Sequence, residues 1–590
     1  MPHSAHRPTP TLHTQMNVRL QGHGAARGTA LGRAWVRQMN IIEIQDKYIT
    51  DTNAELHSLY QAMSAARQEI QVLRERMHGT LSHEVGEFLD LYTLLIDDPE
   101  LLRSLNELIL THNYSAEYAL KIQRDRLTTE FEAMEDHYLK SRMDDLNHVL
   151  GRIHAFLKKH SPEPKDAAGE ILICNNIAPS ELAQVQAQGI IGIVIAAGNT
   201  LSHSAILAHS LHLPLIVGAG ELLLQKITNG DMLIIDGNSG EIIVNPSPQD
   251  LRHYHSRLRE RAKEQRELEQ LRSKHSRTRD NVDIVVQANA ESPDDVSQAY
   301  ALGAAGVGLY RTEFLFLQRN KLPDEEEQFQ TYRDTVLRMN GRPVTIRTLD
   351  LGADKTDCTG LTLSNEENPA MGLRGIRLSM AHPAVANTQL RAILRTSTYG
   401  HVRILVPMIS CREEIILLRK QIKALSIQLR TEGHDIAEQV PLGAMIEVPA
   451  AAIALNSFIK EIDFLSIGTN DLVQYLLAAD RNNAAISEIY SPLHPGVLAV
   501  LAQIIVTAHT HATPVAICGE IAGDPHYVPM LLALGLTEFS LHPATLLEVR
   551  RVIRNSDLGT LKTSVTTLLR ARDRKSIEEW MAAHANTTPT

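Results

Sequence analysis

The sequence predicts a multidomain α/β protein in which an α/β domain with an inserted α-helical bundle is followed by a C-terminal (β/α)8 barrel. Helical periodicity fills residues 51–159, and short β-branched runs alternate with helices or turns in residues 160–248. These runs predict five strands, at 171–173, 190–195, 215–217, 233–235 and 242–244. From residue 281 onward, strand candidates recur at intervals wide enough for intervening helices. The 590 residues suffice for roughly three to four ordinary domains.

The N-terminal region divides into a tail, a strand-rich part and a helical insert. Residues 1–17 are rich in Pro, His and Thr without an apolar core, so we expect a disordered tail and not a signal peptide. Residues 18–50 and 160–248 form the expected α/β domain. The insert, residues 51–159, is a candidate docking platform for a protein. After its first helix, three more helices are expected, over about residues 82–96, 115–138 and 139–159. Its first helix shows an apolar stripe at spacings of three and four: Leu56, Leu59, Met63, Ala66, Ile70, Leu73 and Met77.

His203 lies where a predicted strand, Ile190–Ile195, is followed by a helix-compatible segment. Ser202 or Ser204 can cap that helix, and the free amides of its first turn favour an anion beside the imidazole. A histidine in this position can carry a phosphoryl group. The alternative interpretation is a surface histidine beside an ordinary N-cap.

Residues 249–280 are dense in Arg, Lys and Glu and carry only a narrow apolar stripe. This pattern predicts a solvated connecting helix between two rigid bodies. Such a helix can serve as an arm for domain movement.

Residues 281–573 predict a closed parallel barrel, and residues 574–590 a C-terminal tail. Catalytic groups of such barrels lie at the carboxyl ends of the strands, where this sequence has Arg311, Arg347, Glu447, Asn470, Asp471 and Cys518. Taken singly, each arginine has a structural explanation as an ion-pair partner, and the cysteine as a small buried apolar residue. The expected strands are Asp283–Ala288, Gly306–Tyr310, Val344–Thr348, Arg403–Met408, Leu442–Glu447, Phe464–Gly468, Pro514–Cys518 and Glu538–Leu541.

Four arginines of this region suit a phosphorylated substrate. Arg311 and Arg347 can hold phosphoryl oxygens in bidentate fashion, and Arg374 and Arg481 can add charge. Phosphoryl transfer requires mainly positioning and charge neutralisation. The pattern therefore favours an anionic phosphorylated ligand.

Two carboxylates and a thiol complete the predicted site. Glu447 and Asp471 offer hard oxygen ligands to Mg²⁺, which typically takes one or two carboxylates plus substrate oxygens. Cys518 as a thiol can give a proton to a carbanion-like carbon, whereas as a thiolate it would be a nucleophile. An enolate leaving group is one that would need such a proton.

Composition excludes several classes of function. The net charge of −11 argues against nucleic-acid binding, so any macromolecular partner is expected to be a protein. No apolar run approaches the ~18 residues that span a bilayer, so no membrane association is expected. The 4 cysteines are far apart and lack a Cys-x-x-Cys pattern, which suggests neither zinc nor disulfides and fits a reducing cytoplasm.

Several long motifs, in order and with matching spacing, resemble the Enzyme I family, the phosphoenolpyruvate-protein phosphotransferases of the bacterial phosphotransferase system. The resemblance runs from about Val18 to about Asp573, including the helical insert and the His203 segment. The motifs are Gly308-Leu-Tyr-Arg-Thr-Glu-Phe-Leu-Phe316, Arg347-Thr-Leu-Asp350, Glu366-Glu-Asn-Pro369, Gly443-Ala-Met-Ile-Glu447, Ser466-Ile-Gly-Thr-Asn-Asp-Leu472 and Cys518-Gly-Glu-Ile-Ala-Gly-Asp524.

The resemblance implies a phosphoryl relay in the first step of sugar uptake. His203 would accept the phosphoryl group of phosphoenolpyruvate, Cys518 would protonate the enolate to pyruvate, and Mg²⁺ would lie on Glu447 and Asp471. The His203 domain would then deliver the group to the histidine of the carrier HPr docked on the helical insert. The family works as a homodimer through its barrel. The implied substrate-binding residues are Arg311, Arg347, Asn470, Asp471 and Arg481.

The sequence departs from the family pattern around His203. In the family motif Gly-Gly-x-Thr-Ser-His, Asn199 replaces the second glycine and Leu201 the threonine. His209 stands where the family has an arginine, and Ala178 where it has the threonine of a Thr-Pro-Ser turn. We expect these changes to weaken the hold on a phosphorylated imidazole.

Two other functions remain open at the level of sequence. A regulatory phosphorelay protein with little sugar flux would share every motif. A dikinase or phosphoenolpyruvate synthase would share the barrel and the mobile histidine, but it needs an ATP-binding domain. The sequence lacks a phosphate-cradling glycine loop, which disfavours that reading.

Overall fold

The structure, a computed structural model, divides into two compact units, residues 1–262 and 263–590. Among the residues it describes, no helix is both long and apolar enough to cross a membrane. The described residues are 17–37, 48–76, 92–93, 95–132, 146, 149–158, 167–175, 177, 181–182, 185, 188–197, 207–208, 211, 213–220, 226–316, 321–352, 366, 368–481, 483, 486 and 488–585.

The N-terminal unit contains an eight-stranded sheet in the order β1-β8-β7-β3-β4-β5-β6-β2. β3, β4, β5 and β6 run parallel, whereas the pairs at both edges are antiparallel. Its central β-branched strands are buried, as apolar runs covered on both faces are expected to be. The five strands predicted between residues 160 and 248 are confirmed. The strands are β1 Val18–Gln21, β2 His23–Ala26, β3 Thr29–Arg37, β4 Glu170–Cys174, β5 Gly192–Ile195, β6 Leu215–Val217, β7 Met232–Asp236 and β8 Glu241–Val244.

The helical insert is present as predicted, with α1 Thr52–Arg76, α2 Pro99–His112 and α3 Ala116–Glu132. The apolar stripe of α1 is buried at Leu59, Met63 and Ala66. α2 begins where the Asp98 carboxylate accepts a hydrogen bond from the Glu100 amide. The helices expected over residues 82–96 and 139–159 lie largely outside the described residues, although residues 149–157 are helical.

The charged segment after the sheet forms α4, Pro248–Glu269, which is shorter than expected. The expectation of one helix as far as residue 280 was wrong, because the chain turns after Glu269. The Arg550 guanidinium donates hydrogen bonds to the carbonyls of Leu271 and Arg272, at 2.7 and 3.1 Å. These bonds take the place of further helical bonds at this end.

The C-terminal unit is built on a closed barrel of eight strands, all parallel, in which β16 pairs with β9. All eight predicted strands are confirmed, with bounds shifted by a few residues. The apolar strand residues are buried, which is why these runs carry so few polar side chains. The strands are β9 Val285–Ala290, β10 Val307–Tyr310, β11 Val344–Arg347, β12 Val402–Val406, β13 Leu442–Ile446, β14 Phe464–Ile467, β15 Val515–Ile517 and β16 Glu538–Leu541.

Helices connect the barrel strands, and the last helix corrects the expectation of a C-terminal tail. Residues 574–585 form a helix because Ile577, Trp580 and Met581 share one face and are buried. The helices are α5 Pro293–Ala301, α6 Glu325–Arg338, α7 Ile376–Ala381, α8 Pro383–Thr396, α9 Arg412–Thr431, α10 Pro449–Ile453, α11 Thr469–Leu477, α12 Pro495–Thr510, α13 Glu520–Gly523, α14 Val528–Ala533, α15 Leu546–Asn555, α16 Leu558–Leu569 and α17 Arg574–Ala585.

Candidate active site at the carboxyl ends of the barrel strands

The chemically active side chains of the barrel lie at one end of it. Because all strands are parallel, their carboxyl ends share one face. Arg347 is the last residue of β11, and Asn470 and Asp471 lie in the first turn of α11, after β14. Arg311, Glu447 and Cys518 each follow directly after β10, β13 and β15.

A buried group of charged side chains, here called the inner cluster, consists of Arg347, Asp350, Arg374, Glu447 and Asp471. The Arg374 guanidinium binds two carboxylates at once. Its Nε and Nη2 lie 2.9 and 3.0 Å from the oxygens of Asp350, and its Nη1 and Nη2 each lie 3.0 Å from the oxygens of Asp471. Arg374 therefore fixes the orientation of Asp471, besides adding positive charge.

The two guanidinium groups of the inner cluster are permanently cationic. Burial opposes the charge on Arg347, but Glu313, Asp350 and Glu447 outweigh it and raise its pKa. Its Nη2 lies 3.1 Å from the Glu313 carboxylate, and its Nη1 lies 3.3 Å from Asp350. Burial is likewise outweighed at Arg374, whose pKa is raised by its two carboxylate partners.

Glu447 is the most confined carboxylate of the inner cluster. It is 1% exposed, and its Oε1 accepts a 2.6 Å hydrogen bond from the amide of Met408, a residue with a φ of 61°. Burial raises the pKa of Glu447, and the nearby carboxylates of Asp350 and Asp471 raise it further. Gly468, directly after β14, leaves room for this carboxylate. A Cβ at that position would lie 2.6 Å from Oε2 and would displace the Glu447 side chain.

The residues present fit a divalent cation held by Glu447 and Asp471. Asp350 and Asp471 bring negative charge close to Glu447, and a bound cation would reduce the repulsion between these carboxylates. Glu447 and Asp471 are also hard oxygen donors. Each oxygen of Asp471 accepts one bond from Arg374 and retains a second lone pair. Among the described residues, no group of three or more His, Cys, Asp or Glu is arranged to hold a metal alone.

A second, exposed group, here called the outer rim, consists of Arg311, Asn470, Arg481 and Glu520. Arg311 pairs with Glu291 at 2.5 Å, while Asn470 exchanges two hydrogen bonds with Glu520, at 3.0 and 2.9 Å. Arg481 lies 3.9 Å from the same carboxylate. The side chains of Arg311 and Arg481 are 39% and 38% exposed. An incoming anion can therefore replace these carboxylate partners.

Cys518 lies beside this face in an apolar environment. Burial raises its pKa to about 11, so the side chain is a thiol at neutral pH. Its Sγ lies 3.5 Å from the Ile467 carbonyl. The next residue must be glycine, because a Cβ at Gly519 would lie 1.6 Å from the Thr469 hydroxyl. The apolar side chains that cluster with Cys518 are Leu309, Leu405, Met445 and Phe464.

Two residues of the site were missed by sequence reasoning, Glu313 and Asp350. Both stand inside motifs named above, three residues after the ends of β10 and β11. The available signal was a carboxylate two or three positions after the arginine at the strand end. The residues expected to form the phosphohistidine site lie outside the described residues: His203, Ala178, Asn199, Leu201 and His209.

Three family profiles match the chain. The profile described as "PEP-utilising enzyme, N-terminal" matches residues 21–142, and the one described as "PEP-utilising enzyme, mobile domain" matches residues 166–240, which include His203. The profile described as "PEP-utilising enzyme, PEP-binding domain" matches residues 265–558. The last range contains every residue of the inner cluster and the outer rim.

Curated relatives match the chain over most of its length. A protein of Cupriavidus necator named phosphoenolpyruvate-protein phosphotransferase is 41% identical, covering 95% of this chain and 98% of its own. One of Geobacillus stearothermophilus with the same name is 37% identical, covering 93% and 96%. A solution structure described as Enzyme I (nEIt) is 28% identical over 40% of this chain and 97% of its own, with a TM-score of 0.35.

Proposed function

The chain belongs to the phosphoenolpyruvate-protein phosphotransferase family, and we propose that it performs this reaction by a relay from the barrel site to His203. It is an enzyme that transfers the phosphoryl group of phosphoenolpyruvate to a protein. The observation that carries the residue-level proposal is the convergence of guanidinium groups, carboxylates and a protonated thiol at one end of the barrel.

Phosphoenolpyruvate binds, in this proposal, between the inner cluster and the outer rim. Arg347 meets the phosphoryl group from the buried side, and Arg311 meets it from the exposed side after leaving Glu291. Asn470 and Arg481 hold the carboxylate end, which replaces Glu520 as their partner. Arg374 adds charge and holds Asp471 in place.

The transfer step requires an acceptor and a proton donor. An imidazole nitrogen of His203 forms a bond to phosphorus, the bond from phosphorus to the enol oxygen breaks, and the electron pair stays on the enolate. The Cys518 thiol gives its proton to C3 of the enolate, which yields pyruvate and a thiolate that regains a proton from solvent. The apolar side chains around Cys518 support this role, since they keep it protonated.

Magnesium is the cation that this donor set suits. Glu447 and Asp471 would hold it, and when bound it would supply positive charge to the phosphoryl and enolate oxygens. Two carboxylates with substrate oxygens are a ligand set typical of Mg²⁺.

The later steps of the proposal follow from the family resemblance. The phosphorylated His203 passes its group to the histidine of an HPr-type carrier docked on the helical insert, in the first step of sugar uptake. The helices α1 to α3 support a docking role, since they form an insertion between β3 and β4, two neighbouring strands of one sheet. We further propose that the enzyme acts in the cytoplasm as a homodimer through its barrel.

Labelling with phosphoenolpyruvate tests the relay. The full chain is incubated with Mg²⁺ and phosphoenolpyruvate carrying ³²P, and label on the protein is measured with pyruvate release. We expect acid-labile label on the wild type, none on His203→Ala, and retained binding of phosphoenolpyruvate by that variant. His253→Ala, at an exposed position of α4, is the matched control and should label normally.

Two outcomes would contradict this assignment. Undiminished labelling of His203→Ala would place the phosphoryl group on another residue. Labelling of His203 without steady pyruvate formation on addition of an HPr-type carrier would favour the regulatory phosphorelay protein over the sugar-uptake enzyme.

A further inference from the structure

In the described part of the loop that follows Arg347, residues 348–352, side chains accept the amides of Leu349 and Asp350. The first amide of the loop, that of Thr348, continues the barrel ladder by donating to the Leu405 carbonyl at 2.9 Å. The next amide, that of Leu349, donates to Oε1 of Gln389 at 2.8 Å, and the amide of Asp350 donates to Glu313 at 2.9 Å. Beyond Thr348, the course of this loop therefore depends on residues outside the sheet.

Gln389, on α8, contacts this loop from two sides. Its Oε1 accepts the Leu349 amide, and its Nε2 donates to the Thr312 hydroxyl at 3.1 Å. That hydroxyl donates to the Arg347 carbonyl at 2.9 Å. One amide side chain thus fixes the peptide groups on both sides of Thr348, directly after the guanidinium-bearing residue.

Gln389 is itself fixed by a buried polar chain. Its Nε2 also donates to the Tyr332 hydroxyl at 3.2 Å, which donates to Gln328 at 3.2 Å, and Gln328 donates to the Pro323 carbonyl at 3.1 Å. Gln389, Tyr332 and Gln328 are at most 2% exposed. Since water cannot replace these bonds, the amide has one well-defined orientation.

We propose that Gln389 is a positioning residue for phosphoryl transfer, which acts by fixing the loop that presents Arg347 and Asp350. This proposal rests on the proposed function of Arg347. Gln389 touches no reacting atom. It holds the backbone on either side of Thr348, so that the Arg347 guanidinium and the Asp350 carboxylate meet the substrate and Arg374 in one geometry. A displacement of such groups by about 1 Å lowers rates by as much as a hundredfold.

Isotope exchange between phosphoenolpyruvate and labelled pyruvate tests this role with the full chain, a divalent cation and no carrier protein. Gln389→Met keeps the shape of the side chain and removes its three hydrogen bonds. The values of kcat and KM are measured separately on the folded enzyme at 25 °C. We expect kcat/KM to fall by about tenfold to a hundredfold. Thr388→Ala is the control. Thr388 is the partly exposed neighbour of Gln389, its hydroxyl donates to the Ala384 carbonyl of its own helix at 3.0 Å, and the variant should stay within twofold of the wild type.

A second variant separates positioning from a merely structural role. Thr312→Val removes the bond to the Arg347 carbonyl directly, and we expect a fall in kcat/KM of at least about fivefold. Because both residues act through the same loop, the double variant should lose less than the product of the two single losses. If Gln389→Met does not fold, Thr312→Val alone decides.

Three results would overturn the proposal: a folded Gln389→Met within twofold of the wild type, a Thr312→Val within twofold, or losses that multiply in the double variant. The first of these results, if it came with a lowered midpoint of thermal unfolding, would show that Gln389 serves only the core. A wild-type chain without exchange would instead refute the proposed function.

Discussion

The inner cluster and the outer rim use the same residue types in opposite ways. In the inner cluster, the side chains of Arg347, Asp350, Arg374 and Asp471 are 11%, 2%, 17% and 12% exposed. The first three each pair with two oppositely charged side chains, and Asp471 accepts bonds from Arg374 with both of its oxygens. In the outer rim, Glu520 is 79% exposed and Arg481 is 38% exposed. The buried charges are held in place before the substrate arrives, whereas the exposed ones are free to change partners.

In the function proposed above, the inner cluster and the outer rim contribute to substrate binding in different ways. The charges of the inner cluster lose their water during folding. They can therefore stabilise the charge of phosphoenolpyruvate without changing their positions when it binds. The exposed pairs contribute about 0–1 kcal/mol each to stability, so little is lost when an anion replaces Glu291 or Glu520. Mutations in the inner cluster should therefore change stability and activity together, and those in the rim activity alone.

Asp350→Ala should have the largest effect. Asp350 is the shared partner of Arg347 and Arg374, and its removal leaves two buried guanidinium groups undercompensated. We expect a loss of about 3–5 kcal/mol in the free energy of unfolding, measured by urea denaturation, together with loss of exchange activity.

Asp350→Asn is the matched control, since it keeps the shape and an acceptor oxygen but removes the charge. Its loss of stability should lie between those of the wild type and Asp350→Ala. A change below about 1 kcal/mol in Asp350→Ala would show that the cluster behaves like a surface ion pair and would remove the contrast with the rim.

The buried thiol of Cys518 gives the next largest effect. Its pKa is raised from 9.0 to about 11 in the folded chain, so unfolding releases a proton between these values. The stabilisation is complete below pH 9 and is lost as the pH rises through about 11. It amounts to about 2–3 kcal/mol.

The free energy of unfolding of the wild type should thus fall more steeply between pH 9 and 11 than that of Cys518→Ser. The buried Cys174, whose pKa burial raises to about 12, is common to both proteins and cancels in the comparison. Parallel pH profiles would show that Cys518 titrates normally, and they would remove the argument that it is the proton donor.

Arg311→Met tests whether a charge of the outer rim affects activity without affecting stability. Its partner Glu291 is 47% exposed, so loss of the pair should change the free energy of unfolding by less than about 1 kcal/mol. The lost charge-assisted bonds to a phosphoryl group should raise KM for phosphoenolpyruvate about tenfold or more.

Arg338→Met is the control for this variant, because Arg338 pairs with Asp294 at 3.1 Å, is 43% exposed and belongs to neither the inner cluster nor the outer rim. Its stability should change as little and its KM not at all. A KM of Arg311→Met within twofold of the wild type would exclude Arg311 from substrate binding.

The barrel and its strand-end residues could be predicted because each strand candidate carries its own apolar pattern. Arg347 and Cys518 were found in this way, since parallel strands bring their carboxyl ends to one face whatever the helices do. The tail expected after residue 573 was wrong because α17 is too short to show more than one apolar turn, at Ile577, Trp580 and Met581.

The ion pairs within the inner cluster could not be predicted, because they depend on closure of the whole barrel. Arg374 and Asp471 are 97 positions apart and lie on different sides of β12 and β13 in the chain. From the sequence, Arg374 was one of several arginines with charge to offer. Only the fold shows that its guanidinium is paired with both Asp350 and Asp471.

Glu520→Gln should have the smallest effect, and it should lower KM for phosphoenolpyruvate where Arg311→Met raises it. The Glu520 carboxylate occupies Asn470 and faces Arg481, the two groups proposed to hold the substrate carboxylate, so it competes with the substrate. The amide keeps a hydrogen-bond acceptor for Asn470 and removes the competing charge. We expect KM for phosphoenolpyruvate to fall by up to about threefold, a change below 1 kcal/mol, with unchanged stability. A KM that rises tenfold would mean that Glu520 orients Asn470 for catalysis, and the rim would then be as preorganised as the inner cluster.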